Sequence, residues 1–169
     1  MEDARTLLAR LVEVQPDDVI FTSGATESNA LAIHGVVGAL KKAGRKDIHI
    51  LYLPSSHASI VENVKMLQDE GVTIEALPIK EYRVDTDALA DMLRSDTALV
   101  TMDAVCGETG VIWNTREVAE TLKKSRNQKT ITSPSGTGDA VRALQTVLPA
   151  AGPHSPPPAG NWPRSTSPA

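Results

Sequence analysis

The sequence predicts an α/β fold, a three-layer α/β/α arrangement around a mainly parallel sheet. Three observations carry this. Apolar residues alternate between helical and strand-like spacing from the N-terminus onward. The candidate strands are separated by helices, which implies parallel pairing through crossover connections. The candidate strand Ile48–Leu53 is nearly continuous in apolar character, as expected of a strand covered on both faces.

Taken in order, Leu7, Leu8, Leu11 and Val12 share one face of a first helix. Pro16-Asp17-Asp18 breaks that period, and the β-rich run Val19–Thr22 reads as a strand. A helix follows Ser23-Gly24, carries Ala30, Leu31, Ile33 and His34, and is expected to run out at Gly35 to Gly38. After the strand Ile48–Leu53 comes a helix from Ala58 to Glu70, with Ile60, Val61, Val64 and Leu67 at helical spacing and Gly71 at its C-terminal cap. Val72–Leu77 reads as a strand, Asp85-Thr86-Asp87 as the start of a helix with Leu89, Met92 and Leu93, and Ala98–Met102 as another strand. Thr115–Lys124 closes the series as an amphipathic helix with cations in its last turn, where they suit the helix dipole.

At 169 residues and 41% hydrophobic content, the chain predicts one domain with a core, plus a tail. Seven of its 11 prolines fall between Pro149 and Ala169, so this stretch reads as disordered. Seventeen basic and 21 acidic side chains give a net charge of −4 without a basic block, which argues against a nucleic-acid or anionic-membrane partner. No apolar run approaches the roughly 20 residues of a bilayer span, and Met1-Glu2-Asp3-Ala4-Arg5 is not a signal peptide's start. A cytoplasmic protein acting on a small molecule is expected. A single cysteine, Cys106, leaves no internal disulfide and no zinc site with more than one cysteine ligand; no metal site is expected.

In sheets of this kind ligands sit at the carboxyl ends of strands, which singles out Ser23–Ser28, Pro54–Ala58 and Asp103–Gly110. Thr22-Ser23-Gly24-Ala25-Thr26-Glu27-Ser28-Asn29 opens a helix with small residues that let a ligand approach the backbone N–H groups, and with hydroxyls as extra donors. That is how a phosphate is held, although the same residues also suit an ordinary helix cap by Ser23 or Thr26. No Gly-Lys-Ser/Thr triplet follows, so it is not a Walker loop. His57 stands just past a strand end, where a histidine can serve either the site or the cap of the next helix. His34 and His49 read as structural, and Cys106 as a buried thiol at a strand end.

The run Phe21-Thr22-Ser23-Gly24-Ala25-Thr26-Glu27-Ser28-Asn29-Ala30-Leu31-Ala32-Ile33 resembles the phosphate-binding segment of cysteine desulfurases, in the class V aminotransferase group of fold-type-I pyridoxal-phosphate enzymes. The resemblance continues through Ser56-His57-Ala58-Ser59-Ile60, Val84-Asp85, Ala98–Met102 and Glu108-Thr109-Gly110-Val111-Ile112, covering about the first 124 residues. It implies pyridoxal 5′-phosphate as cofactor, with Gly24, Ala25 and Thr26 holding the phosphate and His57 stacking on the ring and moving protons. It also implies that Asp139, 31 residues after Glu108, pairs with the ring nitrogen. Gly107 stands where the family has an asparagine, Thr137 where it has a histidine, and Arg142 where it has a glutamine.

The parent reaction would take sulfur from L-cysteine, giving L-alanine and an enzyme-bound persulfide for iron-sulfur scaffold or other sulfur-acceptor proteins. The parent family is homodimeric. Selenocysteine lyase and aminotransferase chemistry in the same superfamily are the alternatives, with a non-catalytic module binding a phosphate-bearing ligand or a protein as a third. The expected organisation is a partial large domain over 1–128, a weakly matching continuation over 129–148 and the Pro-rich tail over 149–169. The family's Ser-Gly-His-Lys-like motif is not in the sequence; Lys129 precedes Asp139 and no lysine follows it. Nor is there a catalytic cysteine on a C-terminal loop, so the chain is expected to be inactive by itself.

Overall fold

The computed structural model describes residues 2–11, 13–132 and 143–147, with the backbone alone for 126–132 and 143–147. Helix α1 (Glu2–Leu11) is followed by a 3-10 turn at Pro16–Asp18, α2 (Ala25–Lys42), β1 (His49–Tyr52), α3 (Ala58–Asp69) and β2 (Thr73–Ala76). A small hairpin of β3 (Ile79–Lys80) and β4 (Arg83–Val84) leads into α4 (Thr86–Met92), β5 (Thr97–Asp103), α5 (Thr115–Thr132) and β6 (Ala143–Val147). The main sheet has the order β2-β1-β5-β6, and its three pairings are all parallel.

Alternation along the strands builds the three layers. On β1, Ile50 points to the face covered by Ile33, Val37 and Leu40 of α2 and Ile60, Val64 and Leu67 of α3. Leu51 points the other way, to a cluster with Leu89 of α4 and Val118 and Leu122 of α5. All seven residues of β5 are buried, as a strand between two helical layers must be. Helix ends follow local chemistry. Gly71 takes φ +84° just past α3, and the Asp85 carboxylate caps α4 by accepting from the Asp87 and Ala88 N–H groups, both at 3.1 Å. Asn114, just ahead of α5, binds the hairpin through both ends of its amide, accepting from Val84 N–H (2.9 Å) and donating to Val84 C=O (3.0 Å).

Several sequence expectations are corrected. Val19–Thr22 is not a strand: no described strand lies beside it to share backbone hydrogen bonds, and Ile20 and Phe21 are exposed. Arg5 of α1 instead donates to the Val19 carbonyl and stacks on Phe21. Helix α2 does not stop at Gly35; it continues through Gly38 to Lys42, because Val37 and Leu40 are buried on the sheet and outweigh a cost of about 1 kcal/mol per glycine. The face of α1 formed by Leu7, Leu8 and Leu11 is exposed and Ala9 is the buried position, while Val12 lies outside the described residues. Helix α5 does not end at Lys124 but runs to Thr132, and β6 adds residues 143–147 to the sheet. The Pro-rich tail expected over 149–169 lies outside the described residues.

At the amino end of the sheet, His49 is fully buried, with Nδ1 2.9 Å from Thr97 Oγ1 and Nε2 3.7 Å from Glu75 Oε1. Arg94 lies 3.2 Å from the same Glu75 oxygen and 3.5 Å from Asp96. Burial, followed by the Arg94 charge, pushes the His49 pKa below the ordinary 6.5, against the opposing pull of Glu75 and Asp96. With a folded pKa below the unfolded one, the unfolded chain binds more protons, so this contribution is complete above pH 6.5 and is lost as pH falls below it. Denaturant midpoints should therefore drop between pH 7 and 5, and His49→Gln should flatten that slope. A slope unchanged by the substitution contradicts the assignment.

Candidate functional site

The carboxyl ends of β1 and β5 and the amino ends of α2 and α3 meet on the side of the sheet away from His49. There β1 ends at Tyr52, and Leu53 N–H still donates to the Thr101 carbonyl of β5 (3.1 Å). The loop 54–57 then turns into α3 and is fixed by β5. Asp103, itself buried, accepts from the His57 backbone N–H at 2.7 Å, and its own N–H donates to Ser56 Oγ at 3.1 Å.

Helix α2 begins with Gly24 at the N-cap, in extended backbone and with no side chain capping the first turn. Ala25, Thr26 and Glu27 occupy that turn, whose N–H groups point out of the helix end along the positive pole of its dipole. The hydroxyls expected as extra donors are divided. Thr22 Oγ1 is engaged with the Gly24 carbonyl (3.1 Å) and with Ser28 Oγ (2.6 Å), and Ser23 Oγ donates to Glu27 Oε2 (2.6 Å). The Ser23 N–H reaches the same oxygen at 2.7 Å, and these two bonds hold the Glu27 carboxyl below its ordinary pKa, ionised and turned back over Ser23. The backbone donors of 25–27 and the Thr26 hydroxyl are what the turn offers a ligand. These residues fit a phosphate: small side chains, first-turn donors without an internal cap, and a favourable dipole.

His57 is the N-cap of α3, which is the capping alternative read from the sequence. The ring is exposed, and its Nδ1 faces Ser59, whose N–H donates to it at 3.1 Å and whose Oγ lies at 2.9 Å. Ser59 Oγ in turn accepts from Asn29 Nδ2 of α2 at 2.8 Å, joining the phosphate-fitting helix to the histidine's helix. Sequence reasoning missed Asn29, Ser59 and Asp103 as a group. The only available signal was a carboxylate placed directly after the apolar run Ala98–Met102.

The third segment is a tight turn in which Gly110 N–H donates to the Cys106 carbonyl and Gly110 takes φ +74°, a backbone region that favours glycine. Cys106 is buried at the strand end as expected, with its thiol toward the Ser55 carbonyl at 3.8 Å. Hydrogen bonds from the Thr109 side chain, then the Thr109 and Glu108 backbone, hold the thiol below its ordinary pKa. His34 bonds Asn63 between α2 and α3, and with His49 it is structural, as read. Asp139, Thr137 and Arg142 lie outside the described residues. Among the described residues no His, Cys, Asp and Glu cluster could hold a metal ion, and no helix is long and apolar enough to cross a membrane.

Residues 1–132 match the family model described as Aminotransferase class-V. The chain is 35% identical over 127 residues to a mitochondrial cysteine desulfurase of Candida albicans, covering 75% of this chain and 25% of that protein. It is 38% identical over 125 residues to the cysteine desulfurase IscS of Rickettsia typhi, covering 73% of this chain and 30% of the relative. Among solved structures, DndA from Streptomyces lividans aligns with a TM-score of 0.64 at 36% identity, over 72% of this chain and 34% of that one. A NifS-like protein shares the fold at a TM-score of 0.72 and 24% identity, over 87% of this chain and 36% of that chain. The chain thus spans between a quarter and a third of the length of these curated relatives.

Proposed function

This chain belongs to the aminotransferase class-V family, and from that membership we propose that residues 22–29 and His57 form the phosphate end of a pyridoxal 5′-phosphate site of cysteine desulfurase type. The observation that supports it best is the uncapped first turn of α2, where Gly24, Ala25 and Thr26 expose backbone donors that nothing in the helix uses. When bound, pyridoxal phosphate supplies an electron sink for a carbanion formed on an amino acid. In this reading the backbone of 24–26 and the Thr26 hydroxyl bind the phosphate. His57 would hold the cofactor's ring and move a proton, and Asp139, outside the described residues, would pair with the ring nitrogen.

The whole protein's reaction would be sulfur removal from L-cysteine, leaving L-alanine and a persulfide passed to a sulfur-acceptor or iron-sulfur scaffold protein in the cytoplasm. For the 169 residues themselves, with no Ser-Gly-His-Lys-like motif in the sequence, the binding is non-covalent and desulfurase turnover is absent. Titration with pyridoxal phosphate, followed by quenching of tryptophan fluorescence, should show saturable binding that inorganic phosphate displaces and borohydride does not trap. Absence of saturation, or binding indifferent to phosphate, overturns the reading.

A further inference from the structure

We infer that Asn29 and Ser59 are positioning residues that fix the ring tautomer of His57, so that the neutral histidine presents an Nε2–H donor at the site; this role for His57 rests on the function proposed above. A backbone N–H can only donate, so the 3.1 Å contact from Ser59 N requires an unprotonated His57 Nδ1. The Asn29 amide nitrogen also only donates, and it occupies Ser59 Oγ at 2.8 Å from a side chain that is 1% exposed. That leaves the Ser59 hydroxyl proton directed at His57 Nδ1, 2.9 Å away. Two donors thus converge on Nδ1, and the neutral ring's proton resides on Nε2.

The loop carrying this ring is held by a separate contact. Asp103 takes the His57 backbone N–H at 2.7 Å, so the carboxyl end of β5 sets where the imidazole stands while Ser59 sets which nitrogen bears the proton. With Nδ1 engaged inward, the neutral ring presents its Nε2–H to the site as a hydrogen-bond donor.

Nitrogen-detected NMR of the full chain at pH 8, with the ring signals assigned through His57→Gln, reads the tautomer directly. Two hydrogen bonds of ordinary strength should raise the Nε2–H to Nδ1–H ratio on the order of fivefold or more above that of free histidine. Asn29→Asp puts an acceptor where a donor stood, draws the Ser59 hydroxyl proton away and lets Ser59 Oγ accept, so the ratio should fall. Ser59→Ala removes one of the two donors without adding a buried charge and should lower the ratio by a smaller factor, which keeps the test decisive if Asn29→Asp does not fold. A wild-type ratio equal to that of free histidine, or one unmoved by Ser59→Ala, overturns the inference whether or not pyridoxal phosphate binds. A fixed tautomer in a chain that binds no pyridoxal phosphate upholds it and removes only the functional reading.

Discussion

Thr26→Glu is expected to weaken pyridoxal phosphate binding by at least about tenfold while leaving thermal stability unchanged or slightly higher. The two effects have opposite signs because they answer to different partners. Thr26 is exposed at the second position of α2, where an acidic side chain interacts favourably with the helix dipole by about 0.3–1 kcal/mol. A phosphate seated on the same turn meets that carboxylate at close range. Even with solvent screening, repulsion of about 1.4 kcal/mol is reasonable for two charges a few ångströms apart, and it corresponds to the tenfold loss. If the turn were only a helix start, the substitution would alter stability alone. Calorimetric titration and thermal melts of the two proteins check both halves.

The second large effect concerns the core. Leu51→Ala should destabilise the chain by about 3 kcal/mol, more than a hundredfold in the folding equilibrium, since Leu51 is fully buried between the sheet and the α4/α5 layer. Leu11→Ala provides the contrast. Leu11 is 78% exposed on α1, and its loss should change stability by less than about 0.5 kcal/mol. Urea denaturation of the pair measures the difference, and similar midpoint shifts for both would contradict the layer assignment.

What could be read from the sequence was what each segment decides locally. The helix from Ala58 and the strand ends around it were legible because Gly71 and Asp85 punctuate the chain through their own backbone and side-chain chemistry. The run Val19–Thr22 was misread because strand-like composition does not supply a neighbouring strand. The β3–β4 hairpin was missed because its turn residues, Glu81 and Tyr82, take positive φ without the Asn-Gly or Asp-Gly signal that usually announces such a turn. Helix α2 ran past its glycines because burial of Val37 and Leu40 overrides propensity.

The site divides in the same way. The helix start after Gly24 and the strand-end position of His57 were legible because each is set by a contiguous stretch of sequence. The Asn29–Ser59–His57 chain and the Asp103 contact were not, because they join residues 30 and 46 positions apart and exist only once α2, α3 and β5 are assembled.

The most direct test of the central claim is backbone amide NMR of the chain during addition of pyridoxal phosphate, with inorganic phosphate as a second titrant. The account predicts that both titrants shift the amides of Gly24, Ala25 and Thr26 most strongly, and that pyridoxal phosphate alone also shifts the His57 ring. No shift at 24–26, or larger shifts at the opposite end of the sheet around His49 and Arg94, would contradict it.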